Sequence, residues 1–274
     1  YSFSTVKQTY NLLNEYFDYL MREEFIKKNP MNAVPTIKKS NYLAKQNKEV
    51  LPVCETITIF TDEEIEKFKA EAYKKYPSGK PKHNQASAYI LMLNTGLRTA
   101  ETLGLINSDI DLEKKVIHIQ RGVKEAQKRD GTERKSGREI VVGKLKTASS
   151  KRIVPLNETA IQAIIELRNE RYFGEDAPLI PDADGNFTRP LNLRKRFYSI
   201  LDAAGIEKKG LHSLRHTFAT KLVTGVRAED GTVKALTPRQ VADLLGHTTS
   251  EITEMYYVKR NTDMLMGVTN GFEL

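Results

Sequence analysis

Five side chains that can bind or attack a phosphate are distributed over the chain, each within its own short segment. Arg98 lies in NTGLRTAETLGL, His212 and Arg215 lie in GLHSLRHTFAT, and His247 and Tyr256 lie nine residues apart in LLGHTTSEITEMYYVKR. Arginine can clamp phosphate oxygens, histidine can transfer a proton, and a tyrosine hydroxyl can act as a nucleophile. Together and in this order, the five groups predict a site that cuts a phosphodiester bond with tyrosine as the nucleophile.

Three of these five groups also have an ordinary structural interpretation. Arg98 precedes Glu101 by three residues, so at a helix start Glu101 can orient the guanidinium, although an isolated pair of this kind is usually a surface salt bridge. His247 follows a helix-ending glycine, where a histidine is more often a capping residue than a catalytic one. Tyrosines such as Tyr256 and Tyr257 usually belong to a core or an interface.

His212 and Arg215 share one face of a helix and together suit a phosphate, since the arginine clamps and the histidine accepts or donates a proton. A buried histidine satisfied by the backbone is one alternative, and a metal site formed by His212 and His216 is another. Metal binding is disfavoured because Arg215 on the same turn repels a cation and no carboxylate adjoins the pair. Lys146, in GKLKTASSKRIVPL, lies between two short strands, where a lysine is normally just solvated.

Composition limits the class of protein. The chain has 274 residues, enough for one large or two ordinary domains, and 39% of them are hydrophobic, which supports a packed core. A net charge of +8 favours a polyanionic partner such as nucleic acid. Cys54 is the single cysteine, which excludes an internal disulfide and a thiolate zinc cage and suits the reducing cytoplasm. No run of about 18 apolar residues is present, so we expect no membrane span.

The first part of the chain is predicted to be a helix followed by a linker. Apolar residues recur in steps of three and four over 4–24, which predicts an amphipathic helix whose inward face carries Val6, Tyr10, Leu13, Phe17 and Leu20. Residues 35–58 are polar, lysine-rich and without a period, and we interpret them as a linker. Thr61 and Glu64 have the spacing of a capping box, so a new helix is expected there. Because the chain opens on Tyr1 and enters a helix almost at once, we expect a further segment upstream.

The second part mixes helices with short strands. Periodicity and capping residues predict helices at 86–94 and 99–105, strands at 115–120, 139–143 and 151–156, and mainly helices from Asn157 onward, one of them running from Pro238 to Gly246. The helix that Asn157 caps is predicted to direct four apolar residues inward: Ile161, Ile164, Ile165 and Leu167. The basic stretch 124–138 is predicted to be a long exposed hairpin loop. The expected fold class is mainly α with a small antiparallel β-sheet (α+β).

The segments TGLRTAE, KTASSKR, HSLRH and LLGH, with a tyrosine nine residues beyond the last histidine, resemble the tyrosine recombinase (phage integrase) family. The resemblance covers about residues 60–260, and its linear order is more specific than any single segment. Residues 1–45, which include KNPMNAV, resemble the later helices of that family's core-DNA-binding domain. The resemblance implies a helical core-binding fragment at 1–52 and a catalytic domain with a C-terminal tail at 53–274.

For the chemistry, the resemblance implies covalent catalysis. Tyr256 attacks a DNA phosphate, forms a 3′-phosphotyrosine and frees a 5′-hydroxyl. Arg98 and Arg215 hold the two non-bridging oxygens and stabilise the transition state. The family spacing selects Tyr256 over its neighbour Tyr257, and because neighbours on a helix point about 100° apart, only one of them can face the site.

The remaining roles that the resemblance implies concern protons. His212 acts as a base or hydrogen-bond partner, His247 donates to a phosphate oxygen, and Lys146 protonates the departing 5′-oxygen. Glu101 supports Arg98. Because the phosphotyrosine conserves the bond energy, we expect no cofactor and no metal.

The resemblance implies a site-specific recombinase or integrase of a phage or other mobile element, with double-stranded core sites as substrate. It also implies that the protein forms a homo-oligomer of up to four copies on DNA and works with accessory DNA-bending or directionality proteins. We further expect a location in the bacterial cytoplasm or nucleoid. The apolar patch in 262–274 either docks on a neighbouring protomer or folds back onto its own domain. The long stretches 124–138 and 224–236 are either element-specific contacts or tolerated insertions. A type IB topoisomerase and a catalytically silent DNA-binding regulator remain the alternative functions.

Overall fold

In the computed structural model of the protein, the structure describes residues 1–44, 57–131, 133–144, 151–227, 233–247 and 249–257. The chain divides into two compact units, Tyr1–Pro52 and Val53–Leu274. Helices dominate both units and every sheet is small and antiparallel, so the predicted α+β class is confirmed. Within these described ranges, no helix is long and apolar enough to cross a membrane.

The first unit is built around helix α1, Phe3–Arg22. The helix begins at Ser2, whose hydroxyl accepts the backbone N–H of Thr5, and it covers the segment predicted to be helical. Leu13 was expected to face inward, but it is 41% exposed, so the apolar stripe is narrower than predicted. The other apolar residues of the stripe are half-buried: Val6, Tyr10, Phe17 and Leu20.

Helix α2, Lys39–Ala44, occupies a segment that was predicted to be linker. The linker prediction for 35–58 is therefore wrong over these six residues, and 45–56 lie outside the described part of the chain. Contacts with the start of α1 stabilise the short helix, since the Tyr42 hydroxyl donates to the Tyr1 carbonyl at 2.6 Å and its ring lies 5.7 Å from that of Phe3. Tertiary packing of this kind leaves no period in the sequence.

The helices of the second unit begin and end largely where their capping residues predict. They are α3 Asp62–Ala72, α4 Ser87–Thr95, α5 Thr99–Gly104, α6 Glu158–Glu170, α7 Pro190–Ala203, α8 His212–Thr224, α9 Pro238–Leu245 and α10 Ser250–Tyr257. Thr61 and Glu64 form the predicted capping box at α3, and Asn157 caps α6 by accepting the N–H of Ala160. Thr237 caps α9, and Gly246 ends it in the left-handed conformation.

The strands form three separate antiparallel sheets. They are β1 Ile110–Asp111, β2 Val116–Ile119, β3 Arg121–Asp130, β4 Glu133–Lys144, β5 Arg152–Pro155, β6 Val226–Arg227 and β7 Val233–Lys234. The order β1-β2-β5 makes the one three-stranded sheet among the described residues, and β3 pairs with β4 and β6 with β7.

The stretch 124–138 is an exposed hairpin, as predicted, but the prediction of a loop is wrong, because on both sides of the tip the chain forms the paired strands β3 and β4. Lys124 pairs with Val141 and Gln127 with Arg138. Most of these side chains are exposed, so the hairpin rests on backbone pairing and lacks the apolar alternation by which a strand is recognised in sequence. The stretch 224–236 likewise contains the small β6–β7 pair.

The core of the second unit surrounds α4, whose central residues are almost completely buried. It packs against α6 through Ala160, Ala163, Ile164 and Leu167, whereas Ile165, predicted to face inward, is 37% exposed. A smaller apolar cluster of Ala219, Val241 and Leu245 joins α8 to α9. This second cluster brings the C-terminal end of α9 close to α8 and to the turn after α4, and the candidate site lies there.

Candidate active site

Three arginine side chains converge on the carbonyl oxygens at the C-terminal end of α9. Arg98 donates to the carbonyls of Leu245 and Gly246, both at 3.3 Å, and Arg215 donates to that of Leu245 at 2.8 Å. Arg152 donates from Nε to the Leu244 carbonyl at 2.7 Å. The last carbonyls of a helix lack partners within the helix and lie at the negative end of its dipole, so they favour cations. The end of α9 thus holds the three guanidinium groups together.

Gly96 allows α4 and α9 to approach closely enough for this arrangement. It ends α4 with φ +64°, and a Cβ there would lie 2.5 Å from Phe218 Cδ1 and 2.7 Å from Leu245 Cδ2. Its carbonyl accepts a hydrogen bond from Arg215 Nη1 at 2.7 Å. The glycine in TGLR therefore serves both the turn and the position of a buried arginine.

Glu101 is a buried carboxylate that joins two of the three arginines. Its side chain is 2% exposed and accepts the backbone N–H of Arg98 at 2.8 Å and Arg98 Nη1 at 2.7 Å. Arg152 donates to both of its carboxylate oxygens, at 3.1 and 3.0 Å. Burial alone raises the pKa of Glu101, but the hydrogen bonds and charges of Arg152 and Arg98 outweigh it and lower the pKa below the ordinary value. Three guanidinium groups beside one carboxylate give the cluster a net positive charge.

His247 contacts Arg215 on one side and helix α10 on the other. Its Nε2 lies 3.1 Å from Arg215 Nη2, and its Nδ1 lies 2.9 Å from the Thr253 hydroxyl. Because a guanidinium can only donate, Nε2 accepts and the ring is neutral, with its proton on Nδ1. Burial first, and then the charges of Arg215 and Arg98, lower the pKa of His247 to about 4.

His212 and His216, one turn apart on α8, have ring centroids 5.6 Å apart. Burial and the charges of Arg215 and Arg98 lower the pKa of His212, and burial, His212 and Arg215 lower that of His216 to about 4. Both rings are therefore neutral at neutral pH and can accept a proton. Over the ranges that the structure describes, no group of three or more His, Cys, Asp or Glu side chains is placed to hold a metal ion.

A cleft lies beside His212. It has a volume of about 420 Å³, and its lining includes Thr99, His212, Arg138 of the β3–β4 hairpin and Arg194 of α7. Glu125 on the cleft wall lies 3.9 Å from Arg138, a long ion pair. The cleft is thus lined by cationic side chains next to the group of neutral histidines, which suits an extended polyanion.

The chain matches the phage integrase family over residues 59–263. It belongs to this family. A tyrosine recombinase of the XerC-like type from Caldanaerobacter subterraneus subsp. tengcongensis is 31% identical over 269 residues, which cover 93% of this chain and 62% of that protein. The transposase from transposon Tn916 of Enterococcus faecalis is 23% identical and is matched over 97% of this chain and 61% of its own length. The resemblance inferred from the sequence is confirmed, and the chain spans less than two thirds of the length of these relatives.

Solved structures show the same fold. The integrase of transposon Tn1549, solved in complex with a circular intermediate DNA, superposes with a TM-score of 0.69 at 20% identity, covering 97% of this chain and 78% of that one. The XerA recombinase superposes with a TM-score of 0.53 at 18% identity, covering 95% and 82%. At such identities the likeness concerns the fold, and it extends over nearly the whole of this integrase-family chain.

The structure brings five of the predicted site residues into one region: Arg98, Glu101, His212, Arg215 and His247. Lys146 lies outside the described residues. Tyr256 belongs to α10, which continues from the Thr253 contact, but its side chain is outside the described part of the structure. The assignment of catalytic roles to these residues stays a prediction.

Two residues of the site were missed in the sequence. Arg152 carried a usable signal, because it lies two residues before Val154 and therefore on the same, buried face of the predicted strand 151–156. A charged residue on a buried face needs a partner. Its side chain is 6% exposed and binds Glu101. Thr253 carried no such signal, since a threonine within a short helix has many ordinary explanations.

Proposed function

We propose that this integrase-family protein is a site-specific DNA recombinase that cuts and rejoins DNA through a 3′-phosphotyrosine at Tyr256. The observation that carries the proposal is the convergence of Arg98 and Arg215 on one carbonyl, that of Leu245, with neutral His212 and His247 beside them. Two arginines with adjacent proton acceptors form a suitable site for a phosphodiester, and α10, which carries the tyrosine, follows the site directly.

The arginines supply electrostatic stabilisation. Arg98 is 33% exposed and can turn donors to a non-bridging oxygen, while Arg215 is buried and is fixed by the carbonyls of Gly96 and Leu245. As Tyr256 attacks, negative charge grows on the non-bridging oxygens, and donors already in place stabilise it without rearrangement. Glu101 orients Arg98 and thereby acts as a positioning residue.

The histidines and Lys146 handle protons. In the DNA-free protein, His247 is neutral and accepts from Arg215, so it cannot donate through Nε2. A bound phosphate adds negative charge, which raises the pKa of both His212 and His247 and favours a protonated His247 that donates to a phosphate oxygen. His212 is then placed to receive the tyrosine proton, and Lys146 protonates the 5′-oxygen as the bond to phosphorus breaks.

We infer double-stranded DNA core sites as the substrate, with Tyr1–Pro52 as part of the core-binding domain. The net charge of +8 and the basic cleft beside His212 support a DNA partner. The Tn916 transposase and the Tn1549 integrase among the similar proteins favour a mobile element over a chromosomal resolvase. We further propose that up to four copies assemble on DNA, that accessory DNA-bending or directionality proteins take part, and that the protein is located in the bacterial cytoplasm.

The test is a covalent DNA–protein complex that survives denaturant. The purified protein is incubated with nicked duplexes drawn from the ends of its own element, and the products are separated under denaturing conditions. We expect an adduct with the native protein and with Tyr257→Phe, and none with Tyr256→Phe, which keeps DNA binding because only a hydroxyl is lost. An adduct with Tyr256→Phe but not with Tyr257→Phe contradicts the choice of nucleophile. No adduct with any variant, despite binding, favours the silent regulator, and relaxation of plasmids lacking the site favours the topoisomerase.

A further inference from the structure

A buried hydroxyl connects helix α10 to the arginine site. Thr253 is fully buried, and its Oγ1 lies 2.9 Å from His247 Nδ1. The opposite nitrogen of the same ring accepts from Arg215, which in turn binds the carbonyls of Gly96 and Leu245. A continuous chain of hydrogen bonds thus runs from the end of α4 through Arg215 and His247 into α10.

The direction of each hydrogen bond in this chain is determined by chemistry. Arg215 can only donate, so His247 Nε2 must accept, and the neutral ring carries its hydrogen on Nδ1. That hydrogen points to Thr253, whose oxygen therefore accepts. A side chain without an acceptor at position 253 removes the partner that Thr253 gives to the buried Nδ1–H, which costs free energy and releases the ring from its orientation.

Thr253 also has a defined relation to the proposed nucleophile. Positions 253 and 256 are three residues apart on α10, so they lie on the same side of the helix and about one turn from each other. A contact that fixes position 253 against His247 therefore fixes the register and rotation of the turn that carries Tyr256.

On the basis of the function proposed above, we propose that Thr253 is a positioning residue of the recombinase. Its hydroxyl accepts from Nδ1–H and so holds the His247 ring with Nε2 directed to Arg215, and it docks the turn of α10 that carries position 256. Ordinary packing of a buried threonine is the competing explanation, and it requires only the volume and the methyl group of the side chain.

Three variants separate the two explanations. Thr253→Val keeps the shape but loses the hydroxyl, and Thr253→Ser keeps the hydroxyl but loses the methyl group. Thr95→Val is the matched control, because Thr95 is equally buried and its hydroxyl donates to the Leu91 carbonyl within α4. Each variant is prepared as the full chain.

The first measurement is imidazole nitrogen NMR on the DNA-free protein at pH 7, which distinguishes Nδ1–H from Nε2–H without any activity. We expect Nδ1–H at His247 in all four proteins, because Arg215 still donates to Nε2 in each of them. In Thr253→Val alone, the Nδ1–H proton signal should move upfield and exchange faster with water, because the hydroxyl that accepts it is lost. An Nδ1–H signal in Thr253→Val with the native shift and exchange rate overturns the proposal. A native protein with its proton on Nε2 overturns the proposal even if Thr253→Val does not fold.

The second measurement is the single-turnover rate of covalent adduct formation beside the DNA dissociation constant. Loss of a hydrogen bond that orients a site histidine lowers activity by about 10- to 100-fold, so Thr253→Val should lose that much in rate with DNA binding unchanged. Thr253→Ser and Thr95→Val should stay within about threefold of the native rate. Equal rates for Thr253→Val and the native protein, or a larger loss in Thr253→Ser than in Thr253→Val, overturn the proposal in favour of packing. If the native protein forms no adduct, the proposed function is refuted instead. The NMR result then decides independently whether the Thr253 hydroxyl holds the His247 ring.

Discussion

Replacing Glu101 with glutamine tests whether the buried carboxylate holds the arginine site together. The substitution keeps the size and one carbonyl oxygen, but it removes the charge and places an NH₂ group where an acceptor is needed. In the native protein, Glu101 accepts four hydrogen bonds, two from Arg98 and two from Arg152. In Glu101→Gln, donors of at least one arginine face the donors of the amide.

The size of the effect follows from burial. Glu101 is 2% exposed and Arg152 6% exposed, whereas Arg98 is 33% exposed and partly screened by water. Removing one partner of a buried ion pair costs about 3–5 kcal/mol, and the screening of Arg98 places our expectation at about 3 kcal/mol. For a domain of the size of Val53–Leu274, this corresponds to a melting temperature lowered by about 6–12 °C.

The assay is thermal unfolding followed by tyrosine fluorescence and circular dichroism at pH 7. Glu63→Gln is the matched control, since Glu63 also pairs with a cation on a helix, Lys67 at 2.6 Å, but both side chains are mostly exposed. We expect no measurable change in the control, because solvent screens an exposed pair of this kind. DNA cleavage by Glu101→Gln should fall further than its DNA affinity at a temperature where it is still folded, because Arg98 loses its orientation.

A melting temperature of Glu101→Gln within 2 °C of the native value would refute the argument. Equal losses in Glu101→Gln and Glu63→Gln would also refute it, since burial would then not determine the cost. The lowered pKa of Glu101 also predicts that the charged carboxylate contributes to stability, because the folded protein favours the charged form more than the unfolded chain does.

Three further predictions follow from the site. Gly96→Ala combines a left-handed backbone with a Cβ 2.5 Å from a Phe218 carbon, so urea denaturation should show a free energy of unfolding lowered by about 2–4 kcal/mol. A decrease of less than about 1 kcal/mol would contradict the close packing. In the folded protein, His247 and His216 have pKa values of about 4, so between pH 6.5 and 5 only the unfolded chain takes up protons at these residues. The melting temperature should therefore fall as the pH is lowered from 6.5 to 5, and it should fall less steeply in His247→Gln. Lys146→Ala should slow cleavage of an ordinary phosphodiester by about 10²–10⁴-fold. A substrate with a 5′-bridging sulfur, which leaves without a proton, should recover most of that rate. Equal defects on the two substrates would exclude Lys146 as the general acid.

The predicted helix boundaries that agree with the structure are those determined by local chemistry. The capping boxes at Thr61 and Thr237 and the glycine stops at Gly96 and Gly246 involve residues within four positions of one another. Such contacts are present in the sequence itself, so the starts and ends of helices can be predicted from them.

The features that were missed depend on residues far apart in the chain. Helix α2 is stabilised by contacts of Tyr42 with residues about forty positions earlier, and Arg152 bonds to Glu101 across 51 positions. The β3–β4 hairpin rests on backbone pairs between mostly polar residues, whose side chains give no alternation. The family resemblance named the arginines and histidines of the site, but it did not indicate that Arg152 and Thr253 connect them.

The arrangement of charge explains how the site can persist without DNA. Clustered guanidinium groups repel one another, and burying them without partners costs several kcal/mol each, of the order of a domain's total stability. Here the C-terminal carbonyls of α9 and the Glu101 carboxylate satisfy them in the DNA-free protein, while the histidines stay neutral and add no further positive charge. Because Arg98 is bound to these carbonyls at 3.3 Å and is partly exposed, a phosphate can take over its donors at little cost. Arg215 is buried and held by two carbonyls at 2.7 and 2.8 Å, so under the proposed function it is the fixed group against which a phosphate is placed.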